Sequence, residues 1–490
     1  MERQTKIVAT TGPASQKKEI LSQLIQAGVN IFRLNFSHGT HAQHLQVIRR
    51  IRVLAARLEK PITILQDLQG PKIRTGLVAN GGVNLEAGDY ILLTTRQVIG
   101  NRHQVSVDYP DLPACAAPGN RILIDDGKLE LEILGITDTD VEARVILGGQ
   151  LGSHKGVNLP GACLNLPGFT EKDRRDLEFG LKHEVDAIAI SFVREADDVL
   201  KVRTVIQEII GNQNNPLLIA KLERPEALDN LEEIIRVADG VMVARGDLGV
   251  EMSLDAVPIA QKRIIACANQ QTKLVITATQ MLDSMIHNPR PTRAEASDIA
   301  NAIFDGTDAV MLSGETAVGQ YPVKSVEMMN AIICQAEAHL AEWSHWSGLK
   351  PAPECRDDAV FITLAARELA QDRNVAAIAV FTKSGRTALL MSKSRPAVPI
   401  LAFTPERRTY YRLGLYWGVT PYHVPHSETI EEMIQVVDAV MVASRRLQAG
   451  EQVVLVCGFP VHAVRPANLA LLHTVGEGLP PKETPIASIE

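Results

Sequence analysis

Eight short apolar runs of strand length, each passing into polar or charged residues at its carboxyl end, alternate with stretches of helical period in this chain of 490 residues. They read KIVAT, VNIFRLNFS, ITILQDL, DAIAISFV, LLIAKLE, GVMVAR, KLVITATQ and DAVMLSGE. Eight such alternations predict an α/β fold of the (β/α)8 barrel kind, a TIM barrel, in preference to an open doubly wound sheet. The polar residues fall at the same end of nearly every run: Arg33, Asn35 and Ser37; Asp67; Ser191; Lys221 and Glu223; Arg245 and Asp247; Thr279; Ser313 and Glu315. Barrel enzymes place their chemistry at the carboxyl ends of the strands, so this coincidence predicts a catalytic rim.

The segment Leu217 to Glu251 concentrates that signal. Two strand-length runs flank an amphipathic helical run, a βαβ unit. Lys221 and Glu223 lie two residues apart and so face the same way at the end of the first strand. The second strand runs into Arg245, Gly246 and Asp247, which predicts an ammonium, two carboxylates and a guanidinium on one rim. Two carboxylates suit a hard divalent cation, and a lysine beside it suits a multiply charged anion. The residues alone also allow a plain strand-end ion pair with Asp247 as a helix cap.

The stretch from Pro71 to Leu166 has a different texture, rich in glycine, β-branched residues and turn pairs. RILIDDGKLELEIL reads as two strands turning at Asp126-Gly127. This predicts a small β-barrel domain, residues 71–166, inserted after the third barrel strand and able to close over a ligand as a lid. The barrel then comprises residues 1–70 and 167–345, resuming with a helix capped by Thr170; a Thr292/Glu295 capping box opens a later helix beside the rim. Residues 346–490 read as a C-terminal α/β domain with strands in VAAIAVF, VPILAF and QVVLVCGF. Its loop Thr382-Lys383-Ser384-Gly385-Arg386-Thr387 joins strand to helix and offers small residues, hydroxyls and two cations, either as a phosphate cradle or as a plain connection. The terminal GEGLPPKETPIASIE reads as frayed.

A formal charge of -7 argues against a nucleic-acid partner, which needs a concentrated basic face. No apolar stretch reaches membrane-spanning length and MERQTKIVATTGP lacks the core of a signal peptide, so neither a membrane nor export is expected. Cys115, Cys163, Cys267, Cys334, Cys355 and Cys457 show no CxxC spacing, which predicts buried thiols in a reducing, cytoplasmic setting.

Nine segments resemble the pyruvate kinase family: TKIVATTGPAS, RLNFSHG, DLQGPKIRTG, KGVNLPG, KLERPEAL, DGVMVARGDLGVE, TATQMLDSM, NPRPTRAEASDIANA and DGTDAVMLSGETAVGQYP. The resemblance implies transfer of the phosphoryl group of phosphoenolpyruvate to ADP, giving pyruvate and ATP as the last step of glycolysis. It implies that Lys221 lies against the moving phosphoryl group and that Glu223 and Asp247 hold Mg2+ or Mn2+. Backbone N–H groups at Gly246 and Asp247 then take the substrate carboxylate, and Thr279 helps deliver a proton to the enolate carbon. Arg33 is expected on the transferred phosphate and the nucleotide, with Asn35, His38, Arg74 and Lys155 on the nucleotide side. The loop 382–387 is matched to an effector site for a sugar phosphate or nucleotide, though GFPVHAVRPANLALLHTVGEG fits the family's effector-closing segment poorly. Homotetramers are usual in the family.

One departure carries a consequence. Many members hold K+ with residues equivalent to Asn35, Ser37 and Asp67 and with a threonine where this chain has Leu68, and they carry glutamate where it has Lys72. A fixed ammonium and a bound ion would repel in a site of low dielectric, so Lys72 is expected to replace K+ and to make the enzyme K+-independent. Two rival readings are a metal-dependent barrel lyase or aldolase acting on a pyruvate enolate, and a non-catalytic metabolite sensor built on the third domain.

Overall fold

Strands of a parallel barrel are covered on both faces, which requires side chains that tolerate burial along their whole length. The computed structural model, which describes residues 3–162, 167–211, 215–351, 355–461, 463 and 465–477, places the eight apolar runs in one closed parallel barrel. Its strands are Lys6–Thr10, Ile31–Asn35, Thr63–Asp67, Ala187–Ile190, Leu217–Leu222, Gly240–Ala244, Leu274–Ala278 and Ala309–Leu312. They follow one another around the ring in chain order, and the first and eighth close it with Lys6 beside Ala309 and Ala9 beside Leu312. Val8, Ile31, Leu65, Ile219, Met242, Ile276 and Met311 belong to the packed interior, so the barrel is a core and not a pore. Both predicted caps form: Thr170 and Asp173, and Thr292 and Glu295, make reciprocal capping boxes at helices Glu171–Lys182 and Arg293–Phe304.

The insertion between the third and fourth barrel strands is a curled six-stranded sheet accompanied by a two-stranded one, with its own apolar core around Leu93, Ile122, Leu131 and Val141. Its hairpin pairs Arg121–Ile124 with Leu129–Ile136, turning through Asp125, Asp126 and Gly127, all at positive φ. The expected seam at residue 166 lies outside the described residues, as do Cys163 and residues 478–490 of the tail.

The C-terminal sheet has five strands in the spatial order Val419–His423, Ile400–Thr404, Ala377–Phe381, Gln452–Cys457, Leu469–Thr474. Three of these were expected. The two additional ones form the edges, where Pro421 can lack its N–H without breaking a central ladder.

The barrel interior and this sheet share one continuous apolar cluster, in which Ile219 and Leu274 join Ile378 and Ile400. A buried ion cluster pins the junction. Asp308, at the entry of the eighth strand, accepts from Lys393 Nζ at 2.5 Å, Arg395 Nη2 at 2.9 Å and the Val275 N–H at 2.8 Å. Lys393 has no solvent exposure and also reaches Asn269 Oδ1 at 2.7 Å. Burial pulls its ammonium down to about 8, with Asp308 opposing that shift. Asp308→Ala would leave both cations facing an uncompensated interior, and we expect a loss of about 3–5 kcal/mol in unfolding free energy, read as an earlier denaturation midpoint.

The expectation of buried thiols holds for Cys457; Cys115, Cys267, Cys334 and Cys355 are only half-buried, and all five are free. Among the described residues no helix is long and apolar enough to cross a membrane.

Candidate active site

Arg33 leaves the second strand and Asp67 ends the third, with Asn35 and Asp67 side by side in register. Arg33 Nε donates to Asp67 Oδ2 at 2.6 Å and Nη1 to Thr10 Oγ1 at 3.1 Å. Lys221, near the end of the fifth strand, meets the other oxygen of Asp67 at 3.3 Å and Glu223 Oε1 at 2.8 Å. Burial opposes the Lys221 charge, yet Asp67 and Glu223 outweigh it and hold the ammonium above the usual lysine value. Burial would likewise raise the Asp67 carboxyl, but Lys221 and Arg33 keep it below the ordinary carboxylate value. Lys221 is therefore a permanent cation held in a fixed place.

Ser191 supplies the rest of that fixing. Its hydroxyl accepts from Lys221 Nζ at 2.7 Å and donates to the Leu68 carbonyl at 2.7 Å. The sequence placed Ser191 on the rim without this role, because the contact joins residues 30 apart in the chain.

Glu223 is 1% exposed and accepts from the Phe192 N–H at 2.6 Å through Oε2. Burial pushes its carboxyl up to about 7; Asp247 adds to that rise and Lys221 opposes it. The rise that burial and the Asp247 charge impose on Glu223 is what a divalent cation between the two carboxylates would relieve. Among the described residues no three His, Cys, Asp or Glu side chains form a metal-holding group. A cation on Glu223 and Asp247 would thus take its remaining ligands from substrate and water, as Mg2+ commonly does.

The sixth strand runs straight into helix Arg245–Glu251, whose N-cap is Ala244, so Asp247 is not a helix cap. Gly246 N–H donates to Thr279 Oγ1 at 2.7 Å, and that hydroxyl donates to the Ala278 carbonyl at 2.6 Å. Thr279 sits at φ 70, a strained position for a β-branched residue. Arg245 helps to hold it there: Nη2 donates to the Thr279 carbonyl at 2.7 Å while Nη1 is tied to Asp298 at 2.6 Å. The sequence expected this guanidinium on the rim beside Lys221. It turns instead into the wall and serves the backbone, and the signal for that lies in contacts 34 and 53 residues away in sequence. Glu315 is also turned inward, accepting from the Leu282 and Ser313 N–H groups.

On the lid side, Arg74 bridges to Gly156 and donates to the His154 carbonyl at 3.1 Å, and Lys155 pairs with Asp125 at 3.0 Å. Burial, followed by the charges of Arg74, Lys72 and Arg33, pushes the His38 imidazole down. These cations of barrel and lid therefore share one electropositive region. Asn35 Oδ1 accepts from the Ser37 N–H at 3.0 Å. Lys72 stands 4.0 Å from Asp126 and not against Asp67, whose carboxylate Arg33 and Lys221 already share.

In the C-terminal sheet, loop 382–387 leaves the central strand where the spatial order reverses, the usual location of a ligand crevice. Gly385, at φ 90, donates its N–H to Thr382 Oγ1 at 3.0 Å and caps helix Arg386–Ser394. The loop lines a cavity of about 160 Å³ together with Gly458 and Arg465. Arg386 is engaged by Asp357, which leaves it less available than the sequence implied.

Residues 2–326 match the family model described as pyruvate kinase, barrel domain, and residues 361–473 the one described as pyruvate kinase, alpha/beta domain. A pyruvate kinase of Geobacillus stearothermophilus is 45% identical over 480 residues, 97% of this chain and 81% of that protein. Pyruvate kinase 2 of Synechocystis is 47% identical over 465 residues, 94% of this chain and 77% of its own length. The crystal structure of a pyruvate kinase from Cryptosporidium parvum superposes with a TM-score of 0.87 at 36% identity, covering 96% of each chain. A closed barrel with its cation and carboxylates on one rim, a lid inserted after the third strand and a sheet domain behind the floor are thus found together in a chain that belongs to the pyruvate kinase family.

Proposed function

We infer that the rim carries out phosphoryl transfer from phosphoenolpyruvate to ADP, giving pyruvate and ATP. The observation that carries this reading is Lys221, a buried permanent cation paired with Glu223 and within the field of Asp247. Charge spread over a phosphoryl group in flight is stabilised by fixed cations that need no reorganisation. Lys221 and Arg33 meet that charge from the barrel wall. Glu223 and Asp247 hold Mg2+ or Mn2+, which when bound supplies Lewis-acid stabilisation to the substrate oxygens. The Gly246 and Asp247 N–H groups bind the substrate carboxylate, the Gly246 N–H by exchanging its bond to Thr279 Oγ1 for one to the carboxylate. The Thr279 hydroxyl helps to pass a proton through water to the enolate carbon.

The nucleotide enters between barrel and lid, where Arg33, Asn35, His38, Arg74 and Lys155 lie. The working units are residues 1–70 with 167–345 as barrel, 71–166 as lid and 346–490 as effector-type domain, assembled as a homotetramer. Its switch-point loop, Thr382 to Thr387, takes the phosphate of a sugar phosphate or nucleotide.

A further part of the proposal is K+ independence. Leu68 presents no hydroxyl, the Asp67 carboxylate is spent on two cations, and Lys72 already adds charge near His38. A coupled assay with phosphoenolpyruvate, ADP and Mg2+ should show ADP-dependent pyruvate formation that changes less than about twofold between K+-free buffer and about 100 mM K+ at constant ionic strength. Lys72→Glu should lose activity without K+ and regain part of it with K+. Several-fold activation of the unmodified chain would overturn the K+ reading, and absence of ADP-dependent turnover would overturn the whole.

A further inference from the structure

Asn158 and Glu251 belong to different bodies. Asn158 lies on the lid strand Val157–Asn158, and Glu251 is the last residue of the rim helix that begins at Arg245. Asn158 Nδ2 donates to Glu251 Oε1 at 2.7 Å. Each end is held firmly by its own side. Asn158 pairs with Leu123 in the lid sheet, and the Val157 N–H donates to the Ile73 carbonyl at 2.9 Å. Glu251 ends the helix that carries Gly246 and Asp247, and that helix is anchored through Arg245 to Thr279 and Asp298.

We propose that the Asn158–Glu251 hydrogen bond is a latch that seats the lid on the rim helix, which makes both side chains positioning residues for the nucleotide half of the reaction. Lys155 lies just ahead of the strand that carries Asn158, and Gly156 between them bridges to Arg74, so the seat of this strand sets how far both cations stand from Lys221. A half-buried carboxylate that loses its donor is left unsatisfied, which gives the latched arrangement its preference. Burial pushes the Glu251 carboxyl up, and the bond from Asn158 with the charge of Arg224 pulls it back. The kinetic consequence rests on the reading of Arg74 and Lys155 as nucleotide contacts; the latch itself does not.

Asn158→Ala, Glu251→Ala and Glu251→Gln separate these points, measured by steady-state kinetics and by amide hydrogen exchange of segments 72–76 and 155–158 in the full-length ligand-free protein. The two alanine variants should speed exchange and raise the KM for ADP about tenfold, the upper end of what one ordinary hydrogen bond contributes, with the KM for phosphoenolpyruvate moving less than about twofold. Glu251→Gln, whose amide oxygen still accepts, should stay near the unmodified protein. Faster exchange with an unchanged KM for ADP upholds the latch and removes Arg74 and Lys155 from the nucleotide site. Unchanged exchange in both alanine variants, an equal rise in both KM values, or a Glu251→Gln variant as impaired as Glu251→Ala overturns the proposal.

Discussion

Replacing Lys221 with methionine should lower turnover about a thousandfold or more while the barrel stays folded. The side chains are close in length, so the loss is chiefly one of charge. In the folded protein that charge serves Asp67 at 3.3 Å, Glu223 at 2.8 Å and Ser191 at 2.7 Å. Asp67 keeps Arg33 at 2.6 Å, so the third strand does not lose its only cation. Glu223 keeps the Phe192 N–H but loses the partner that opposed its protonation. Removing one preorganised donor from a transition state costs about 10²–10³ in rate, and a missing cation on a transferring phosphoryl group costs about 10³–10⁵. The larger scale applies because Lys221 carries full charge in a place with little solvent. Turnover should fall much more than the KM for phosphoenolpyruvate rises, since the interaction grows as charge leaves the enolate. A coupled assay paired with circular dichroism checks it; turnover within tenfold of the unmodified chain would remove Lys221 from the transferring step.

The barrel was legible because parallel strands leave a one-dimensional trace: short apolar runs bounded by polar residues. The caps at Thr170 and Thr292 are equally local: Thr292 with Glu295 shows the three-residue spacing of a capping box, while Thr170 is legible as an N-cap and its partner Asp173 emerges in the structure. Val419–His423 was not, since Pro421 argues against a strand until it is known to lie on an edge. Leu469–Thr474 is also an edge strand, and its half-buried side chains give no clear alternation. In the site, Lys221 and Glu223 were legible because period-two geometry puts neighbours on one strand face. Arg245 was misplaced for the opposite reason: its partners Thr279 and Asp298 arrive from other βα units. The strain at Thr279 and the fixing of Lys221 by Ser191 likewise arise only once the ring closes. What a sequence conceals here is which polar rim residues face substrate and which hold the rim together.

The second large effect is expected at the two carboxylates, where Asp247→Asn gives the cleaner experiment. Among the described residues the Asp247 side chain makes no hydrogen bond or ion pair, so exchanging one oxygen for an amide should leave the unfolding free energy within about 0.5 kcal/mol. The ligand charge is halved all the same, and a hard cation depends on that charge. Mn2+ binding followed by electron paramagnetic resonance without substrates should weaken at least about 10–100-fold, a range already reached when only supporting groups around a metal are altered. Glu223→Gln should weaken it as much but behave differently in stability. Its oxygens accept from both Lys221 and the Phe192 N–H, and an amide can accept on one side only, turning its NH2 toward a donor on the other. That variant should therefore lose metal affinity and melt earlier, whereas Asp247→Asn loses affinity alone. Equal Mn2+ affinity in the unmodified chain and Asp247→Asn would show that the cation does not sit between these carboxylates, even if both variants turned over slowly.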